Sequence, residues 1–225
     1  MTCLCWSRLP ALGVGFLLLA CGGGGSSGTG PCTPGAATHL VTTGGDAQSW
    51  YFNNPLPAAL SVKALDANNC VVPGVVINWA VASGGGVVSP TQSTTNASGV
   101  ATTADSLGPT SSTTIQMVTA MFTGLATPAA FTEHATAPST AVGATVGDDF
   151  FSPADTVVQV NGTVTWTWTG VQPHTVSFSG GPESGSPAGT PQTSGTYART
   201  FTSLGKFSYF CRVHGNMTGT VTVVH

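Results

Sequence analysis

Charge is what this sequence has least of. Of its 225 residues, 5 are Lys or Arg and 8 are Asp or Glu, so charged side chains make up 6%, against roughly a quarter of an ordinary soluble domain. The net charge of -3 reflects scarcity, not opposing blocks. With so few cations, nothing is available to neutralise a phosphate backbone or to grip an anionic lipid surface. That excludes nucleic-acid binding and polybasic membrane adhesion. Long apolar runs are missing too, since the longest, within residues 8–21, is too short to span a bilayer comfortably. What the chain has instead is Thr, Ser and Val, punctuated by 30 Gly and 15 Pro. That composition favours strands and turns over helices.

Residues 8–21, RLPALGVGFLLLAC, form a short positive flank, an apolar run and a small residue before Cys21, the layout of a secretion signal. The end of this run, LLAC, resembles the lipobox of bacterial lipoproteins. The resemblance implies a signal peptide over 1–20 and a lipidated Cys21 as the first mature residue. Gly22 stands where Asp would hold such a protein at the inner membrane, which in the family pattern points to the outer membrane. Residues 21–35, rich in Gly and Ser, read as a tether. Removal of the signal discards Cys3 and Cys5 and leaves Cys21, Cys32, Cys70 and Cys211, an even set made odd once Cys21 carries lipid. In an oxidising compartment one cysteine then needs another role.

From residue 56 to 123 short β-rich segments alternate with turn signals. Leu60, Val62 and Ala64 share a parity, as do Val75, Ile77, Trp79 and Val81, and then Ile115, Met117, Thr119 and Met121. Period two is the pattern of half-buried strands in a sandwich. The stretch 60–103, with its DAN turn, VPGV strand start, Gly-rich bend and NASGVA turn, resembles bacterial immunoglobulin-like domains of the invasin and intimin type. It implies a spacer without chemistry over residues 36–126. Cys70 departs from that pattern, and a bridge to Cys32 accounts for it, with a typical contribution of about 2–4 kcal/mol. Residues 127–143, rich in Ala, Thr and Pro, read as a linker.

A second domain spans 144–225. Val164, Trp166 and Trp168 hold one parity and Thr163, Thr165 and Thr167 the other, with Asn161-Gly162 as a hairpin turn after Val158 and Val160. His174, Val176 and Phe178 continue in the next strand. Phe207, Tyr209, Cys211 and Val213 form another, and Val221 with Val223 the last, while 180–195 is a surface excursion.

Cys211, His214 and Met217 follow one another at intervals of three, with His174 upstream on a separate strand. A thiolate, two imidazoles and a thioether are soft or borderline donors that suit copper and not calcium or magnesium. Each also has a plainer reading: a buried thiol, a methionine filling a core gap, a histidine satisfied inside an apolar face. Spacing alone gives a candidate soft-metal site. His39, His134 and His225 have no matching partners and read as surface residues.

The pieces FFSPADTVVQVNGTVTWTWTG, PHTVSF and GKFSYFCRVHGNMTGTVTV, about a third of the chain, resemble a cupredoxin of the plastocyanin and amicyanin kind. The resemblance implies a Greek-key sandwich and one type 1 copper ion. His174, Cys211 and His214 fall on the in-plane ligands and Met217 on the axial thioether. Gly215 stands where the family commonly has proline. Backbone N–H groups near Thr175 or Asn216 are expected beside the thiolate, and His214 is the expected electron port for transient redox protein partners. No His-x-His pair occurs, which argues against a multicopper oxidase, and nothing marks a substrate groove.

The expectation is therefore an all-β chain: signal, tether, immunoglobulin-like sandwich and cupredoxin sandwich. It is expected to be an extracytoplasmic, lipid-anchored one-electron carrier and not an enzyme. Copper delivery and metal-free surface adhesion are the competing readings.

Overall fold

The computed structural model describes residues 32–178 and 190–225. The expected signal peptide, Cys21 and most of the tether and of the excursion 180–195 lie outside the described residues.

The first part of the chain folds as two facing sheets. Its strands are β1 (His39–Gly44), β2 (Ser49–Tyr51), β3 (Leu60–Leu65), β4 (Val76–Ser83), β5 (Val87–Ser89), β6 (Gln92–Thr94), β7 (Val100–Ser106), β8 (Ile115–Met121) and β9 (Ala129–Thr136). One sheet runs β1-β3-β7-β5 and the other β2-β9-β8-β4-β6. Leu60, Val62, Ile77, Trp79, Val118, Ala120 and Phe131 fill the space between them. Alternation makes this possible, because each strand delivers every second side chain to the same interior. Cys70 is buried, and both Cys32 and Cys70 are disulfide-bonded.

Two local expectations fail here. In β8 the buried residues are Gln116, Val118 and Ala120, while Ile115 and Met121 face solvent. On this face Ala120 pairs with Trp79 and Val118 with Phe131, two large rings 5.9 Å apart on the flanking strands. Gln116 is buried because its amide is used locally, accepting the Gly108 N–H at 2.7 Å and donating to the Thr113 carbonyl. The segment 127–143 is not a linker throughout, since it contains β9, which pairs with β8 from Ile115↔His134 to Ala120↔Ala129.

The second part comprises β10 (Ala141–Gly147), β11 (Phe150–Ser152), β12 (Asp155–Gln159), β13 (Gly162–Trp168), β14 (Ser177–Phe178), β15 (Thr196–Phe201), β16 (Gly205–Phe210) and β17 (Thr218–Val224). The sheets are β11-β10-β13-β15 and β12-β17-β16-β14. Two of the pairings, β10 with β13 and β12 with β17, are parallel. Trp166 centres the core, edge-on to Phe178 and Tyr209 and stacked on Tyr197. The expected hairpin at Asn161-Gly162 is instead a corner between sheets, because β12 pairs with β17 and β13 with β10 and β15. Asn161, at φ 67°, makes the bend. On either side of it the Val160 N–H goes to the Val224 carbonyl and the Asn161 N–H to the Phe201 carbonyl, one bond into each sheet. The two parts touch where the Asn54 side chain accepts the His225 N–H at 3.0 Å.

Candidate metal centre

Three connections at one end of the second sandwich converge. Cys211 directly follows β16. Its N–H donates to the Met217 carbonyl at 2.9 Å and the Met217 N–H to the His214 carbonyl at 3.1 Å, which closes residues 211–217 into a tight loop before β17. His174 lies between β13 and β14, where paired bonds with Gln192 at 2.8 Å fix its backbone. Trp168 Nε1 donates to its carbonyl at 3.3 Å. Hydrogen bonds thus hold both the His174 segment and the Cys211 loop.

These connections bring Cys211 Sγ within 3.8 Å of both His174 Nδ1 and His214 Nδ1, and the two Nδ1 atoms within 3.0 Å of each other. A triangle with those sides has its centre about 2.1 Å from each corner, inside the ~2.0–2.3 Å range of imidazole and thiolate bonds to a transition metal. One sulfur and two imidazole nitrogens at that spacing match the donor set of a trigonal copper site. Burial reinforces the match: Cys211 and His174 are shielded from solvent, and His214 is half-buried. Met217, expected as a fourth ligand, is buried in the same core cluster as Cys211.

The surroundings of the triangle are built as carefully. Thr175 N–H donates to Cys211 Sγ at 3.4 Å, while the Thr175 hydroxyl accepts the Arg212 N–H at 2.9 Å and the Ser177 hydroxyl at 3.1 Å. One buried threonine thus ties the His174 segment to the Cys211 loop. The outer nitrogens of the two histidines meet carboxylates, His174 Nε2 to Asp148 Oδ1 at 3.4 Å and His214 Nε2 to Asp149 Oδ1 at 3.5 Å. Asp148 also accepts the Val171 and Gln172 N–H groups, each at 2.9 Å. The Gln172 N–H, then that of Val171, hold its carboxyl below the usual range, with a smaller contribution from His174.

Sequence reasoning missed Asp148 and Asp149. The available signal was a pair of adjacent acids in a chain with 8. What places them is the parallel register of β10 against β13, which spacing along the chain does not reveal.

A family profile of copper-binding proteins, the plastocyanin/azurin family, matches residues 138–224. None of the curated proteins compared matches the chain. Among solved structures, a reduced amicyanin variant is 29% identical, covering 37% of this chain and 82% of its own, with a TM-score of 0.34. A purple cupredoxin from Nitrosopumilus maritimus is 25% identical over 37% of this chain and 99% of its own, at 0.33. Oxidised plastocyanin from Dryopteris crassirhizoma is 23% identical over 36% and 99%, at 0.30. The C-terminal region of this chain is a cupredoxin-like domain carrying a candidate His/Cys/His metal site.

Proposed function

We propose that the protein is a mononuclear type 1 copper protein that carries single electrons and catalyses no reaction of its own. The observation that carries this reading is the triangle of Cys211 Sγ, His174 Nδ1 and His214 Nδ1, sized for one ion and largely closed to water. In this reading those three residues would hold the ion, with Met217 as a fourth and weaker ligand. Copper held there would supply reversible one-electron cycling between Cu(II) and Cu(I).

The chain's own part is to limit rearrangement. The Gln192 pairing and the Trp168 Nε1 bond keep His174 in place, and the 211–217 loop bonds keep Cys211 and His214 at a fixed separation. The Thr175 N–H draws electron density from the sulfur, a route by which such sites adjust their potential. His214, at the solvent side, is the exit for electrons toward transient redox protein partners. Exposed Val213 beside it suits a brief contact.

We further infer a lipidated Cys21 that tethers the protein on the extracytoplasmic side, at the outer membrane. Residues 36–126 serve as an immunoglobulin-like spacer, with Cys32 bridged to Cys70. The lipobox resemblance and the sandwich of β1–β9 support these readings.

The test is an absorption and EPR spectrum of the copper-supplemented protein. Intense visible thiolate-to-Cu(II) absorption with reversible one-electron cycling supports the carrier. Tight, colourless Cu(I) binding without cycling contradicts it in favour of delivery.

A further inference from the structure

The turn between β10 and β11 consists of two acids that point to different places. Asp149 adopts φ 67°, a left-handed conformation seldom used by residues other than glycine, asparagine and aspartate. That conformation separates the two carboxylates, so neighbours in sequence reach the outer nitrogens of two different histidines, at 3.4 and 3.5 Å. The surroundings leave room for them. A Cβ at Gly170 would run into the Asp148 carboxylate, and a Cβ at Gly147 would meet the Phe150 ring. The two acids are held differently. Asp148 is fixed by two backbone N–H groups, whereas Asp149, 72% exposed, lies 3.5 Å from His214 Nε2.

Both inner nitrogens face the sulfur and both outer ones face a carboxylate. A proton on Nε2 suits a carboxylate at that nitrogen and leaves the Nδ1 lone pair directed into the triangle. The carboxylate also makes the imidazole a stronger donor. We propose that Asp148 and Asp149 are paired positioning residues, which set the tautomer of both histidines and bias the centre toward the oxidised metal, Asp149 acting on the solvent-side His214. The inference rests on the copper reading above.

The experiment uses the full chain. Substituting Asp149→Asn keeps the shape and removes the charge at an exposed position, and Asp155→Asn, an exposed acid of the same domain, serves as the charge control. Two quantities are read: the midpoint potential of the copper-loaded protein, and the His214 Nε2–H resonance in the metal-free protein. Loss of a carboxylate behind a histidine ligand typically costs about 10–100-fold in metal affinity. If the loss falls on Cu(II), a tenfold change raises the potential by ~59 mV. Asp149→Asn is expected to give at least that shift and to move the His214 Nε2–H signal, while Asp155→Asn changes neither. Equal shifts in the two variants, or a His214 signal indifferent to Asp149, would overturn the proposal. A wild-type protein that takes up no copper would refute the carrier reading, and the metal-free resonance would still decide the role of Asp149.

Discussion

Each donor atom of the centre can be removed singly, and the losses should differ. Replacing Cys211 by Ala takes away the one sulfur at the triangle and should abolish visible colour altogether. Met217→Leu retains volume in the core cluster that contains Met217 but lacks the thioether. Copper should therefore stay bound while the potential rises, because Cu(II) loses more than Cu(I) when a donor is withdrawn. A redox titration beside a copper analysis checks both. Thr175→Val is a third case. It leaves the N–H on the sulfur but removes the acceptor for the Arg212 N–H and the Ser177 hydroxyl. We expect about 1–3 kcal/mol lower stability in chemical denaturation, together with a perturbed visible spectrum. An unchanged spectrum would show that the hydroxyl does not help to hold the loop.

At the level of strands, the first sandwich carries two acids that the carrier role does not use. Asp105 on β7 and Glu133 on β9 are buried, and each has one oxygen without a hydrogen-bond partner among the described residues. Burial pushes Asp105 up from 3.8 to about 6 and Glu133 up from 4.5 to about 7. The Gln48 N–H opposes this at Glu133, and the charges of Asp46 and Asp105 add to it. Because the folded state holds these protons more tightly than the unfolded one, their stabilising effect is fully present below about pH 4 and is lost as the pH rises to about 7. The loss is on the order of 3 kcal/mol for each group. Thermal unfolding should accordingly occur at a lower temperature at pH 8 than at pH 5, with a smaller difference in Glu133→Gln. The opposite slope would contradict buried, protonated carboxyls. In the second sandwich Trp166→Ala should cost about 3–5 kcal/mol, since its ring contacts Phe178, Tyr197 and Tyr209.

Strands also show how much of the fold is legible in the sequence. Where apolar residues alternate with polar ones, as from Leu60 to Ala64 in β3 and along β13, the pattern alone identifies the buried face. β8 misleads because both of its parities are partly apolar, and its buried parity is the one in register with Trp79 and Phe131 on the flanking strands, with the Gln116 amide bonded locally. The Asn161 turn misleads in a different way. A left-handed Asn before Gly marks a reversal, but the residues themselves do not say whether the two flanking strands pair with each other or with β17 and β10.

For the molecule as a whole, the four candidate ligands and their spacing are visible because soft donors are rare in so plain a composition. The acids behind the histidines are not, since their position depends on three separate connections meeting at one end of a sandwich. The same convergence separates the carrier account from a pair of inert β domains, and it makes a stoichiometric claim: one ion for each chain, bound through one thiolate. A titration of the full-length protein with Cu(II), followed by visible absorption in parallel with its Cys211→Ala variant, tests this most directly. The account predicts intense absorption that saturates at about one equivalent, as one trigonal site requires, and none in the variant. Saturation without colour, or equal colour in both proteins, would contradict it.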